Sequence, residues 1–319
     1  MKFDVLGLGH CCIDHLSILD PFPEKGKKGV VIESCTTGGG PVPTALRVVT
    51  RFGGTATFCG KVGNDNAGKQ IISELNDDDI ETNLMVIEPE TITATASIWI
   101  DPTDGSRTIA LDTPEFPWVT TEQFNADLVR NCRVFITDGR AIGASLEGLR
   151  VAREAGIPTV FDTGSGRPGM YEMLPLIDYA IVSQDLSEHL DPKVYNPKIN
   201  VNDSMQTSLA LAKHLVKFGA GAALITMGEL GVMYHDEVQT MVSPAFKVKA
   251  YDTTGAGDVF HGAFIHALLQ DWKINRALRF ANAAAALSCR KLSGSGGIPE
   301  LDEVVHVLRD GVIENKPMR

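Results

Sequence analysis

The sequence predicts an α/β protein built on a mostly parallel sheet. Short apolar runs alternate along the chain with longer amphipathic segments, which is the pattern of strands joined by crossover helices. The 319 residues include 44% hydrophobic and 22% charged residues, enough to bury a large core. No run of eighteen apolar residues occurs, so we expect no membrane span. One large domain over residues 1–319 is the simplest organisation.

The individual elements follow from the same alternation. Four- to seven-residue runs of apolar side chains predict strands at 3–8, 56–62, 133–137, 159–162, 179–183 and 222–227. Amphipathic spacing predicts helices at 43–51, 67–75, 144–155, 205–217, 257–269, 274–289 and 301–308. Gly156 directly follows one of these helices and Gly219 lies two residues after the end of another, as glycine commonly does at helix C-termini.

Two segments break the alternation and predict a small second sheet. Residues at about 12–37 and 93–112 carry strand-type side chains with no helix between them, and SIWIDPTDGSRTIAL predicts a hairpin that turns at Asp101 to Ser106. Such a sheet is either a lid over a ligand site or an ordinary extension of the sheet edge. Because an exposed sheet needs cover, a homodimer through the lid is also expected.

The composition limits the partners. A formal net charge of −11 without a lysine or arginine block argues against nucleic acid or an anionic membrane and favours a small molecule. The six cysteines form no CxxC pair, and Asp4 interrupts the apolar N-terminus, so we expect a cytoplasmic protein with reduced thiols. The eight histidines lack zinc-site spacing.

Three glycine-rich loops are candidates for a phosphate site. Gly7-Leu8-Gly9 begins like a dinucleotide fingerprint, but Cys12 takes the third glycine position and no helix follows. The segment GNDNAGKQ at 63–70 resembles a P-loop, but Gln70 stands where a magnesium-binding hydroxyl is required. Both loops are better interpreted as structural turns.

The third loop lies in YDTTGAGDVFHGAF, at 251–264. Gly255, Ala256 and Gly257 precede a helix, so their amides and the helix dipole can form an anion hole, although a tight turn capped by Asp258 is the alternative. A carboxylate beside an attacking hydroxyl and amides beside a phosphate together complete a phosphotransfer site. We expect Asp258, at the helix N-terminus, to stay ionised without a raised pKa.

The segment DTTGAGD followed by VFHGAF resembles the ribokinase-like (PfkB) carbohydrate kinases. GGGPVPTALRVVTRFGG at 38–54, KVGNDNAG and FANAAAALSC extend the resemblance over nearly the whole chain. The resemblance implies a three-layer α/β/α core with a mostly parallel central sheet and a small β-sheet lid. It also implies a phosphotransferase that transfers the γ-phosphoryl group of ATP to an alcohol group of a sugar, with Mg²⁺ bound to the ATP.

The resemblance also implies the residues of the site. Asp258 matches the catalytic base, and Gly255, Ala256 and Gly257 match the anion hole. Asp14, Gly39 and Gly40 match sugar-binding positions. The nucleotide-side positions are Ser183, Thr226, Gly228, Gly231 and Asn282. Asp252 and Thr254 match positions that bind a monovalent cation such as K⁺ in many members.

The departures from the family pattern bear on the substrate. Pro41 and Thr44 replace the sugar-side asparagines, and Ser183-Gln184-Asp185-Leu186 replaces the NxxE motif that organises magnesium. Within the family, the motifs most resemble the sulfofructose kinase type, in which Lys28 and Arg140 would hold an anionic group. A sulfofructose, sugar phosphate or sugar acid is therefore one expectation. The alternatives are a neutral sugar, as for a ribokinase or fructokinase, and a catalytically silent sugar-sensing homologue.

Overall fold

The computed structural model describes residues 2–112, 118–164, 166–197, 199–200 and 203–311. The strands are β1 (Val5–Leu8), β2 (Cys12–Leu19), β3 (Val31–Gly39), β4 (Ala56–Cys59), β5 (Lys61–Gly63), β6 (Ile80–Glu81), β7 (Val86–Glu88), β8 (Thr95–Ile100), β9 (Arg107–Asp112), β10 (Val134–Thr137), β11 (Thr159–Asp162), β12 (Tyr179–Ser183), β13 (Ala222–Thr226), β14 (Val232–Asp236) and β15 (Thr240–Ser243). The helices are α1 (Pro41–Arg51), α2 (Asn66–Asp77), α3 (Ile142–Ala155), α4 (Met170–Met173), α5 (Leu186–His189), α6 (Ser204–Lys217), α7 (Ala256–Leu269), α8 (Ile274–Ser288) and α9 (Leu301–Asp310).

The central sheet has the strand order β15-β14-β13-β12-β11-β10-β1-β4-β6. Every neighbouring pair from β6 to β13 is parallel, and β14 and β15 continue the sheet as antiparallel strands. Helices α1, α2, α7, α8 and α9 pack their buried side chains on one face, and α3, α4 and α6 pack on the other. This arrangement confirms the three-layer α/β/α prediction.

The element predictions agree with this sheet except at one break and at both edges. The strands 159–162 and 179–183 have the predicted bounds. The predicted strand 56–62 is wrong as one element, because the chain divides at Gly60 into β4 of the central sheet and β5, which pairs with β7 instead. Strands β6, β14 and β15 were not predicted, because β6 has two residues, the apolar run of β14 spans only Val232 to Tyr234, and β15 alternates exposed and half-buried residues.

The predicted second sheet is present and has the strand order β3-β2-β8-β9. Its hairpin turns where expected, with the Asp101 amide donating to the Ser106 carbonyl over 2.9 Å. We call this sheet the lid, and we define its inner face as the face that carries Asp14, Leu16 and Ile18 of β2. The residues of β3 and β8 that pair with these three lie on the same face. Leu16 and Ile18 are buried against Ile98 and neighbouring apolar side chains of β8.

The two rejected glycine loops have structural roles. A Cβ atom at Gly7 or at Gly9 would lie 2.6 Å from the Val42 side chain, so these glycines let α1 pack closely on β1. Asp65 caps α2 by accepting from the Gly68 amide over 2.8 Å, and its other oxygen accepts from the Thr93 amide. Both interpretations from the sequence are confirmed.

Among the described residues, no helix combines the length and the apolar character that crossing a membrane requires.

Candidate active site

The candidate site lies at the carboxyl ends of the parallel strands, where open α/β sheets commonly bind ligands. Strands β11, β12 and β13 end there at Asp162, Ser183 and Thr226. The loop before α7 reaches the same edge, because His261 on α7 contacts the carbonyl oxygen of Ile181 on β12 over 3.0 Å. The sequence therefore folds its glycine loop next to three strand ends.

The start of α7 has the geometry that an anion hole requires. Gly255 is the N-cap with φ +74°, a left-handed conformation that glycine adopts without strain. The Ala256 amide donates to the Thr253 carbonyl over 3.3 Å. No hydrogen bond from the amides of Gly255, Gly257 or Asp258 is made within the described part of the chain, as expected for a helix first turn. These amides and the helix dipole favour an anion.

Asp258 is the third residue of α7 and is half-buried. Burial and, to a smaller extent, the like charge of Asp162 together raise the pKa of Asp258 to about 7. The sequence-based expectation of an unshifted, ionised carboxylate is therefore wrong, because burial and a like charge outweigh the opposing effects of His261 and Arg107. A carboxylate that titrates near neutral pH is well suited to accept a proton.

Asp162 is a site residue that the sequence analysis missed. Its side chain is 6% exposed, and one carboxylate oxygen lies 3.5 Å from His261 Nε2. Oxygen or nitrogen atoms of Asp162, Asp258 and His261 all lie within 4.8 Å of one another. The available signal was an aspartate at the carboxyl end of a buried strand, but the sequence alone did not show that β11 ends beside α7.

The lid supplies a second missed residue, Arg107. Its guanidinium donates to the Thr253 hydroxyl over 3.2 Å, and the Gly105 carbonyl accepts from the Thr253 amide over 3.1 Å. Arg107 also lowers the pKa of Asp258 electrostatically, although burial dominates. The lid hairpin therefore lies against the anion-hole loop and brings a cation to it.

The sugar-side residues meet as expected. A Cβ atom at Gly39 would lie 2.0 Å from a carboxylate oxygen of Asp14, so the strand end contacts this carboxylate directly. Gly40 is the N-cap of α1 with φ +112°, and Thr44 is buried on the first turns of that helix. Burial raises the pKa of Asp14 to about 6, while a hydrogen bond from Cys12 over 3.2 Å opposes the shift.

Two arginines lie beside this region. The Arg140 guanidinium stands 5.1 Å from the Trp118 ring centre, and Trp118 packs on Cys12 next to Asp14. The Nε atoms of Arg140 and Arg167 are both buried without a hydrogen-bond partner, and neither arginine has an ion pair among the described residues. Burial and then the neighbouring Arg167 lower the pKa of Arg140.

Lys28 does not lie with these arginines. It is exposed in the loop that joins β2 and β3. Asp14 is near the opposite end of β2, roughly 17 Å from Leu19 at about 3.3 Å per residue. The second cation near Arg140 is instead Arg167, which the sequence analysis missed.

The residues predicted to bind the nucleotide lie in two places. Four of them lie at or just after the ends of β12 and β13, and the fifth, Asn282, lies on α8. Ser183 and Thr226 are paired in register at the ends of β12 and β13. Gly228 and Gly231 follow them, and a Cβ atom at Gly231 would lie 2.2 Å from the Ser243 carbonyl oxygen. Asn282 on α8 is buried, and its amide donates to the Ser243 carbonyl over 2.9 Å. Asn282 therefore fixes the end of β15 at this side of the site.

Asp252 and Thr254 lie together beneath the anion-hole loop. Asp252 is 1% exposed, and its carboxylate accepts from the amides of Thr254 and Ser293, each over 2.8 Å. The Thr254 hydroxyl is buried and has no hydrogen-bond partner in the described chain. A buried carboxylate beside an unpartnered hydroxyl offers the oxygen ligands that a cation requires.

Free amides at a helix N-terminus, a titratable carboxylate beside them and a small sheet packed on the same loop are compatible with a phosphotransferase. Residues 3–301 match the family described as pfkB family carbohydrate kinase. The chain therefore belongs to the pfkB family of carbohydrate kinases, which are phosphotransferases with an alcohol group as acceptor.

Individual relatives agree with this assignment. The chain is 28% identical to a ribokinase of Bacillus subtilis over 309 residues, which cover 94% of this chain and 98% of the relative. It is 27% identical to Fructokinase-1 of Oryza sativa, over 85% of this chain and 87% of the relative. The structure of Arabidopsis thaliana ribokinase with ribose and ATP superposes with a TM-score of 0.78 at 22% identity, over 97% of this chain and 99% of the other.

Proposed function

We propose that the protein transfers the γ-phosphoryl group of ATP to a hydroxyl of a sugar, with Asp258 as general base. The placement of Asp258 beside the free amides of Gly255 and Gly257 carries this proposal. The sugar hydroxyl gives its proton to Asp258 as its oxygen bonds the γ-phosphorus, and the bond to the β-phosphate oxygen breaks to release ADP. The amides and Arg107 stabilise the charge that develops on the transferred group.

Magnesium would arrive bound to the ATP phosphates. Mg²⁺ prefers oxygen ligands and usually combines one or two carboxylates with phosphate oxygens and water. The Asp162 carboxylate, which lies within 4.8 Å of the Asp258 carboxylate, fits this requirement in the absence of an NxxE motif and leaves Asp258 free to accept the proton. A K⁺ ion would fit Asp252 and Thr254, where it would neutralise a buried carboxylate and give the Thr254 hydroxyl a partner.

The pH dependence of the reaction tests the base. Because Asp258 must be ionised and its pKa lies near 7, we expect kcat/KM for MgATP to fall as the pH decreases through about 7. Asp162→Asn removes the like charge and so lowers the pKa of Asp258, and the pH at which kcat/KM begins to fall should therefore move to a lower value. A steady-state pH profile of both proteins measures the effect. A wild-type kcat/KM that falls only near the ordinary aspartate pKa would contradict the assignment.

We further propose that the substrate carries an anionic group bound by Arg140 and Arg167. Arg140 and Arg167 are half-buried guanidinium groups that repel each other and form no ion pair among the described residues. Asp138 and Asp162 offset part of this repulsion, and an anion between the arginines would offset more of it. A planar guanidinium suits sulfonate, phosphate and carboxylate alike. The second candidate is a neutral sugar, which the relatives named ribokinase and fructokinase favour.

A coupled ATP-turnover panel separates these candidates. It should include D-ribose and D-fructose, sugar phosphates, sugar sulfonates and sugar acids, each assayed in K⁺ and in tetramethylammonium. If the substrate is anionic, Arg140→Gln and Arg167→Gln should each raise its KM by about 10–100-fold, because each removes a charged hydrogen bond.

Arg150→Gln is the matched control for that panel, since Arg150 is exposed on α3. Good turnover of a neutral sugar with no effect of either arginine variant would contradict the anionic substrate. A wild-type protein that consumes no ATP with any compound would instead favour the sugar-sensing alternative.

We propose that a second copy of the chain covers the lid. Val31, Ile109 and Leu111 on β3 and β9 are between 45% and 54% exposed, at the two edges of the lid sheet. Edges with exposed apolar side chains are commonly paired in a symmetric dimer. Sedimentation at micromolar concentration tests this, and a monomer would contradict it.

A further inference from the structure

A chain of hydroxyl groups crosses from the lid to the anion-hole loop. Thr37 on β3 is the cross-strand partner of Asp14. Its Oγ1 atom lies 3.1 Å from Glu74 Oε2 and 3.0 Å from Ser295 Oγ. Ser295 Oγ in turn lies 3.0 Å from Ser293 Oγ. We call Thr37, Ser295 and Ser293 the hydroxyl chain.

The direction of each hydrogen bond in the hydroxyl chain can be assigned. Glu74 is paired with the buried Arg47 over 3.3 Å, and its carboxylate accepts from Thr37. Ser295 must then donate to Thr37, and Ser293 must donate to Ser295. The Ser293 oxygen accepts from the Gly296 amide over 3.3 Å. Each hydroxyl therefore donates one hydrogen bond and accepts one, which satisfies a half-buried polar network.

Ser293, at the far end of the hydroxyl chain, is joined to the anion-hole loop. The Ser293 amide donates to Asp252, whose other carboxylate oxygen accepts from the Thr254 amide. A Cβ atom at Gly255 would lie 2.6 Å from the Gly294 Cα atom, so the two loops are in direct contact. Ser293 itself has φ +79°, a left-handed conformation that a non-glycine residue keeps only where its surroundings hold it.

We infer that Thr37 is a positioning residue that couples the sugar-binding strand to the nucleotide site. Nucleotide binding at the anion hole fixes the loop at 252–255 and, through the hydroxyl chain, the strand that holds Gly39 against Asp14. The coupling is reciprocal, so a bound sugar also favours the nucleotide. The inference rests on the proposed nucleotide site at Gly255 and Gly257.

Hydrogen exchange with AMP-PNP and Mg²⁺ tests this coupling without knowledge of the sugar. In the wild-type protein the nucleotide should slow exchange of the amides at 253–259 and also at 35–39. Thr37→Val keeps the shape of the side chain but breaks the chain, so protection at 253–259 should remain while the nucleotide-induced protection at 35–39 falls at least about fivefold, the lower range of typical coupling between sites.

The controls separate coupling from a general loss of structure. Thr36→Val alters the neighbouring residue on the outer face, whose hydroxyl contacts His15 and no other side chain of the described residues, and should behave as wild type. Ser295→Ala should reproduce the loss, and adding it to Thr37→Val should cause no further loss. Equal protection at 35–39 in Thr37→Val and wild type would overturn the inference. If AMP-PNP fails to protect 253–259 in the wild type, the nucleotide site itself is wrong, and the inference fails with it.

Discussion

Asp258→Asn is expected to lower kcat by about 10²–10⁴-fold, the usual contribution of a general base. The substitution keeps the size of the side chain and leaves the amides of Gly255 and Gly257 in place, so nucleotide binding should persist. Coupled ATP turnover measures kcat, and calorimetry with AMP-PNP measures binding. The expected result is a binding-competent protein that transfers phosphate very slowly.

Asp302→Asn is the matched control, because Asp302 is an exposed carboxylate in the first turn of another helix, α9. It should leave kcat unchanged. Near-normal turnover in Asp258→Asn would show that another group accepts the proton, and Asp162 would be the next candidate. Loss of AMP-PNP binding would instead show that Asp258 contributes to the nucleotide site.

Gly39→Ala is expected to raise the sugar KM by about 10–100-fold, since hydrogen bonds to a charged group each contribute about 1.5–3 kcal/mol. The new methyl group would meet Asp14 Oδ2 at 2.0 Å. The carboxylate is the end of a side chain and can rotate away, so the fold should survive while the sugar loses its acceptor. KM for ATP should change little.

Gly143→Ala provides the comparison, because its methyl group would approach only Thr121 at 3.1 Å, far from Asp14 in the chain. Thermal unfolding of both variants distinguishes a local effect from a general loss of stability. An unchanged sugar KM in Gly39→Ala would mean that Asp14 does not bind the sugar.

The sequence predicted those site residues that lie in one continuous motif. Asp258 and Gly255 are separated by three positions, and the glycines ahead of a helix indicate an anion hole regardless of tertiary structure. Asp14 and Gly39 required the family resemblance, because β2 and β3 bring them together across a long loop. The structure adds the contact at 2.0 Å that explains why position 39 is a glycine.

Asp162 and Arg107, which the sequence did not predict, reach the site only because of the order of the strands in the central sheet and the position of the lid. Asp162 is 96 positions from Asp258, and its role depends on β11 lying beside the strand that α7 contacts. Arg107 reaches Thr253 only because the hairpin folds back over the core. The raised pKa of Asp258 could not be predicted for the same reason, since both its burial and its charged neighbours come from distant segments.

In the proposed site, the lid sheet carries both the acid that binds the sugar and the cation beside the transferred phosphate. Asp14 lies on its inner face, and Arg107 pairs with Ile100 on the same side of the sheet. Evolution can therefore change which sugar is accepted by altering short lid strands, while the strand ends that hold the nucleotide stay intact. A library confined to β2, β3, β8 and β9 is the natural starting point for redirecting this enzyme to new acceptors.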